Sequence, residues 1–179
     1  MTTEAIAIRT ATKGDAVALA AVHDAAWRFA YRGILPGTDL ERMIARRGPR
    51  WWGRALARPI PAIVVDDGGT VRGYATYGAN RIRTLPHAGE IYELYLQPEY
   101  IGAGLGRRMV SAIRHRFAAR GHSSFLVWSL EENTGGCAFY EKLGGRVVAT
   151  SREPFGRVEV QKLAFAFGTK PAHRSGLRP

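Results

Sequence analysis

The segment GEIYELYLQPEYIGAGLGRRM, Gly89 to Met109, constrains the fold of this chain more than any other. It begins as a strand over Gly89 to Leu96, passes through the glycine-rich turn Gly102-Ala103-Gly104-Leu105-Gly106, and restarts as a helix over Leu105 to Arg120. Leu105, Met109, Ile113 and Phe117 recur every four residues and form one apolar stripe, and Gly121 is a stop signal. A strand that feeds straight into an amphipathic helix must be covered by that helix. The segment therefore places a sheet with a helical layer at the centre of the molecule.

The other elements extend the pattern. Ala5 to Arg9 alternates apolar and polar residues and reads as a first strand. Thr12 and Asp15 form a capping pair for a helix that carries Val17, Leu19, Val22, Ala26 and Trp27 to Tyr31, where Gly33 and Pro36 break it. Asp39 to Arg47 and Pro49 to Arg58 read as two shorter helices. Ile60 to Asp66 and Val71 to Ala79 are strands joined by the turn Asp67-Gly68-Gly69, which predicts a hairpin. Ser124 to Leu130 is a strand, Gly135 to Leu143 a short helix, and Arg146 to Ser151 and Arg157 to Phe165 are closing strands. The expected class is α/β, a mixed sheet of about six or seven strands with helices on both faces. One domain is expected over residues 1–167, followed by a polar, basic tail over 168–179 that reads as disordered.

Composition narrows the function. Apolar residues make up 46% and charged residues 23% of the chain, as in ordinary globular proteins. No run approaches the ~20 apolar residues of a membrane helix. Met1 to Arg9 lacks the basic-then-apolar pattern of a signal peptide. Cys137 is the only cysteine, so neither an intramolecular disulfide nor a cysteine metal cluster can form. A cytoplasmic location and no membrane partner are expected. The net charge of +11 attracts polyanions. Yet the basic residues, nearly all arginine, are spread along the chain with no long run, so no nucleic-acid partner is expected.

The glycine turn carries the chemistry. The first turn of a helix has backbone N–H groups without internal partners, beside the positive end of the helix dipole. Such a turn holds phosphate readily, and glycines let the backbone approach it. A bare glycine cluster can equally be a tight turn and nothing more. A Walker A loop needs Gly-Lys-Ser or Gly-Lys-Thr, whereas Gly106 is followed by Arg107 and Arg108. A dinucleotide fingerprint needs a third glycine where Arg107 stands, and it belongs after the first strand.

Two blocks resemble the GNAT superfamily of N-acetyltransferases. Leu94-Tyr95-Leu96-Gln97-Pro98-Glu99-Tyr100-Ile101-Gly102-Ala103-Gly104-Leu105-Gly106 resembles its acetyl-CoA motif, Q/R-x-x-G-x-G/A between a strand and a helix. Gly104 and Gly106 match the glycines, and Ile101 stands where the family has Gln or Arg. Asn133 and Ala138-Phe139-Tyr140-Glu141-Lys142-Leu143-Gly144 resemble the family's N-x-x-A-x-x-F-Y-x-K-L-G-F pattern, with the alanine slightly out of register. Trp27, Tyr31-Arg32-Gly33, Leu35-Pro36 and Trp51-Trp52 resemble the opening helices of one branch. The likeness covers nearly the whole chain except the tail.

That resemblance implies a GNAT-like acyl-CoA N-acyltransferase fold and transfer of acetyl from acetyl-CoA to a primary amine, by direct attack in a ternary complex. Under it the pyrophosphate falls to the backbone of Ile101, Gly102, Ala103, Gly104, Leu105, Gly106 and Arg107. The Leu94 N–H meets the thioester carbonyl, worth ~3 kcal/mol for a single donor. Leu96 and Asn133 contact the pantetheine arm, and Tyr140 protonates the departing thiolate. Glu90, four residues before Leu94 where several members carry a catalytic glutamate, is the expected base, acting through a water. Glu93 is the alternative. On a regular strand Glu90, Tyr92 and Leu94 share one face and Glu93 takes the other, so only one glutamate reaches the amine unless a bulge intervenes.

The acceptor is expected to be a small-molecule or peptide amine, and a homodimer is compatible with the family. His23, His87, His115, His122 and His173 show no ligand spacing, so no metal is expected. His23, Trp27, Tyr31, Tyr77 and Tyr92 are candidate acceptor walls, and core packing explains each as well. Two other readings stay open: a non-catalytic acyl-CoA-binding module and a nucleotide-binding oxidoreductase domain.

Overall fold

The computed structural model describes residues 6–169. In chain order the elements are β1 (Ala7–Thr10), α1 (Ala16–Tyr31), α2 (Gly37–Arg46), α3 (Pro49–Leu56), β2 (Ala62–Asp67), β3 (Thr70–Ala79), β4 (Gly89–Leu96), α4 (Leu105–Ala119), β5 (Ser124–Leu130), α5 (Thr134–Lys142), β6 (Arg146–Phe155) and β7 (Val158–Gly168). The expected order of elements is present. Ala5, His173 and the tail from 170 lie outside the described residues, while Gly168 closes β7. The last hairpin is longer than expected, because β6 continues through Arg152, Glu153 and Pro154. β6 is the outer edge of the sheet, where a proline and charged side chains are tolerated and no apolar run is required.

The strands form one mixed sheet in the order β1-β2-β3-β4-β5-β7-β6. Every neighbouring pair is antiparallel except β4 and β5. α4 and α5 cover one face, where Met109, Ile113 and Phe117 are fully buried against Ile63, Ile91 and Phe125. α1 and α3 cover the other, where Leu19, Val22 and Trp52 meet Val64 and Tyr74. α2 joins the end of α1 over Leu130 and Val160. β2 is buried on both sides, which is why Ile63-Val64-Val65 reads as an unbroken apolar run. Truncating a side chain such as Phe117 to alanine in a core of this kind costs about 3–5 kcal/mol.

An ion-pair brace ties the first strand to the first helix. Thr12 N–H donates to Asp15 Oδ2 at 2.7 Å, so the expected capping pair forms, on a short 3-10 turn ahead of α1. Arg9 reaches Asp15 Oδ1 at 2.8 Å and Asp66 Oδ2 at 2.6 Å, which links β1 to β2 as well. The Arg9 guanidinium holds the Asp15 carboxyl down at a pKa of about 2.

Candidate active site

β4 and β5 pair only at Gly89–Phe125, Glu90–Leu126 and Ile91–Val127. Beyond Ile91, β4 stays with β3 and β5 stays with β7, so a wedge opens in the middle of the sheet. The cause lies in β4. Ile91 pairs with Tyr77 and Glu93 with Thr76, which leaves Tyr92 as an extra residue. A bulge of this kind bends its strand and sharpens the twist, carrying the following residues away from β5.

The free edge of the wedge follows from the ladder. The Gln97 amide donates to the Arg72 carbonyl at 2.8 Å, which fixes the alternation of bonded pairs between β3 and β4. In that alternation Thr76–Glu93 and Tyr74–Tyr95 are the bonded pairs, and Ala75–Leu94 and Gly73–Leu96 are not. The backbone N–H and C=O groups of Leu94 and Leu96 therefore point away from β3, into the wedge.

At the wide end of the wedge lies the glycine turn. Gly102 and Gly104 have φ of 87° and 78°, in the left-handed region that glycine tolerates, and Gly104 caps α4. A Cβ at either position would meet nothing within 4 Å, so open space lies above the turn. Among the described residues the amides of residues 102–107 have no backbone acceptor, and the first bond of the helix runs from the Arg108 amide to the Gly104 carbonyl at 3.1 Å. This is an anion site by construction. Gly106 serves a different need: its Cβ would sit 3.0 Å from the Phe139 ring, so its smallness lets α5 approach α4. Leu105 buries its side chain in the core, and Ala103 stays at the surface of the turn. Arg107 lines the groove, while Arg108 turns back to the Ile6 carbonyl at 2.8 Å. Ile101, 52% exposed, sits on the rim.

Wedge and turn together form a groove of about 400 Å³ that includes Leu94, Leu96, Asn133, Phe139 and Tyr140 in its walls. Asn133 is the N-cap of α5 and accepts from the Gly136 amide at 3.2 Å. Tyr140, also on α5, is nearly buried, and that burial pushes its phenol well above the ordinary tyrosine range. It stays protonated and able to donate. Cys137 sits behind it, with its thiol directed at the Leu130 carbonyl at 3.3 Å.

The two glutamates do not lie as the alternation rule expects. Ile91 and Leu94 both pack into the core beneath α4, although three positions separate them. The extra residue at Tyr92 shifts the alternation, so Glu90 and Glu93 share the face toward α1 and α3, and Leu94 takes the other. Glu90 is 1% exposed and lies outside the groove. Its carboxylate accepts from the Arg81 amide at 2.9 Å and from Arg81 Nη2 at 2.5 Å. Glu90, expected as the base, is thus engaged by Arg81 and does not line the groove. Glu93 lines the groove, 3.0 Å from Arg47 Nη1 and 3.4 Å from the Thr76 hydroxyl. Burial raises its pKa, with the Arg47 charge opposing.

Arg47, Thr76 and Arg81 are the site neighbours that sequence reasoning missed. Nothing marks them among the many arginines and threonines of the chain, because their partners are distant in sequence. His23 is fully buried, with Nδ1 2.8 Å from the Tyr74 hydroxyl, and is not part of any groove wall. Burial, helped by the Arg47 charge, lowers its pKa to about 3 and keeps it neutral. Trp27 and Tyr31 pack edge to face at 4.9 Å, and Tyr31 also lines the groove. Among the described residues no cluster of His, Cys, Asp and Glu could hold a metal ion, and no helix is long and apolar enough to cross a membrane.

Comparison with known proteins agrees with this architecture. The model of the FR47-like protein family matches residues 69–153, which hold β3, β4, the glycine turn, α4, β5 and α5. The chain is 26% identical over 163 residues to the uncharacterized N-acetyltransferase YuaI of Bacillus subtilis, covering 90% of this chain and 92% of that protein. It is 26% identical over 146 residues to the L-amino acid N-acyltransferase MnaT of Escherichia coli, covering 80% and 81%. The crystal structure of the PaiA N-acetyltransferase from Thermoplasma acidophilum, in complex with coenzyme A, superposes with a TM-score of 0.71 at 21% identity, covering 88% of this chain and 98% of that one.

Proposed function

We propose that this chain is an N-acetyltransferase of the GNAT type, which transfers an acetyl group from acetyl-CoA to a primary amine by direct attack within a ternary complex; the FR47-like match over residues 69–153 and the shared fold support the reading. One observation carries the reading: β4 leaves β5 just where its free edge, at Leu94 and Leu96, leads to the unpaired amides of the glycine turn. These features fit acetyl-CoA. Amides of residues 102–107, with Arg107 beside them, suit a diphosphate. The open edge of β4 suits the amide-containing pantetheine arm, with Asn133 opposite. When bound, acetyl-CoA supplies an activated thioester.

The chain's own residues then have distinct tasks. The Leu94 N–H donates to the acyl oxygen on which negative charge gathers, worth ~3 kcal/mol in a site where the donor is already oriented. Glu93 takes the proton from the amine, directly or through a water, because it is the carboxylate that reaches the groove. Its raised pKa makes it a stronger base than an ordinary carboxylate. Tyr140 donates to the leaving sulfur. The burial of Glu93 and Tyr140 keeps bulk water from competing. The acceptor is a small molecule or a peptide end, and the Escherichia coli relative, named for L-amino acids, falls within that class.

Thermal-shift comparison of acetyl-CoA, CoA and NAD, followed by an amine panel with free-thiol detection, tests this. Stabilisation by acetyl-CoA and CoA with thiol release on an amine is expected. Binding of NAD in place of CoA overturns it, and acetyl-CoA binding without turnover of any amine reduces the chain to a binding module.

A further inference from the structure

A second cavity, of about 530 Å³, meets the groove at Tyr92 and Glu93. Its charged lining is Arg47, Arg81 and Arg120 against the single carboxylate of Glu93. Two of these arginines are held in place. Arg81 is gripped by Glu90 through its Nε at 3.1 Å and its Nη2 at 2.5 Å, and its guanidinium lies 4.3 Å from the Tyr92 ring centre. Arg47 stacks 4.0 Å from the Trp51 ring centre and gives Nη1 to Glu93. In each, one edge of the guanidinium is engaged. Among the described residues Arg81 Nη1 and Arg47 Nη2 have no carboxylate partner.

Oriented guanidiniums with a free edge recognise carboxylates. With three guanidiniums and one carboxylate in its lining, the cavity disfavours a polycationic acceptor. We propose that this cavity is the acceptor site and that it selects an amine carrying its own carboxylate, an amino acid, with the amine at Glu93 and the carboxylate on Arg81 and Arg47. Trp51, Leu56 and Ile60 also line the cavity and suit an apolar or aromatic side chain. Glu90 is then a positioning residue: buried and beyond reach of the amine, it acts through Arg81. The inference rests on the transferase reading, with the cavity as its acceptor side.

The test compares L-phenylalanine with phenethylamine and L-phenylalaninamide, which lack the carboxylate, and with spermidine. Acetyl-CoA binding is measured separately by calorimetry. L-phenylalanine is expected to exceed phenethylamine in kcat/KM by about 100-fold. Arg81→Met narrows that ratio about tenfold through KM, and Arg81→Lys does not restore it, because an ammonium lacks the planar fork. Glu90→Gln narrows it in the same direction with kcat largely kept, which a general base at that position would not allow. Phenethylamine or spermidine serving as well as L-phenylalanine, or a ratio unmoved in Arg81→Met, overturns the carboxylate site alone. Acetyl-CoA binding with no turnover across the panel overturns the transferase reading and the site with it.

Discussion

The Glu93 carboxylate lies 3.0 Å from Nη1 of Arg47, the residue that closes α2. Two opposing effects meet in this pair. Burial favours the neutral acid, the guanidinium favours the carboxylate, and burial is the stronger, so the Glu93 pKa stands above the ordinary range. A carboxylate so placed is ionised often enough to act and basic enough to be useful.

The pH profile follows. Only the ionised form of Glu93 accepts a proton, so kcat rises with pH through its pKa and levels above it. The acid limb is expected above the usual carboxylate range. Arg47→Met removes the opposing charge and should move that limb to higher pH, read from kcat against pH. Glu93→Gln should lower kcat by about 10²–10⁴-fold with acetyl-CoA affinity nearly unchanged; full activity in this variant would exclude Glu93 as the base.

Tyr140→Phe tests the donor to sulfur. The ring remains and only the hydroxyl is lost, so the packing of α5 against Phe165 and Phe167 should persist. A fall in kcat of about 10–100-fold with an unchanged Kd for acetyl-CoA is expected. Equal rates for both proteins would assign Tyr140 to packing alone.

The glycine turn can be damaged or improved. Gly104→Asp forces a side chain onto a left-handed backbone, at a cost of about 1–2 kcal/mol, and puts negative charge above the anion site. Acetyl-CoA affinity should fall by about 100-fold or more, measured by calorimetry. Ile101→Arg, on the exposed rim, should tighten it about 3–10-fold by adding a guanidinium beside the amides. Retained affinity in the first variant would place the diphosphate elsewhere.

The N-terminal brace sets acid sensitivity. The folded Asp15 pKa of about 2 lies below that of an unfolded aspartate, so its contribution is complete above the unfolded value and lost as pH falls through about 2. Partial exposure and screening reduce that contribution to about 1–2 kcal/mol. Asp15→Asn should lower the midpoint of urea unfolding at pH 7 and bring it closer to wild type at pH 2. A constant difference between the two pH values would refute the ionic account.

The amino-acid pattern by itself determined the order of elements, the strand that became β2, the glycine turn at the head of α4 and the position of Tyr140 on α5. Each of these depends on local periodicity or on residues adjacent along the chain, and such signals survive without tertiary information. Tertiary structure decided which glutamate faces the groove. Alternation predicts side-chain direction only while every residue of a strand is paired, and the extra residue at Tyr92 becomes visible only against the register with β3. The partners of Glu90 and Glu93 were hidden for the same kind of reason. Arg81 and Arg47 reach them across a loop and from the opposite layer, and nothing in a guanidinium's own neighbourhood along the chain says which carboxylate it will meet once the sheet has closed.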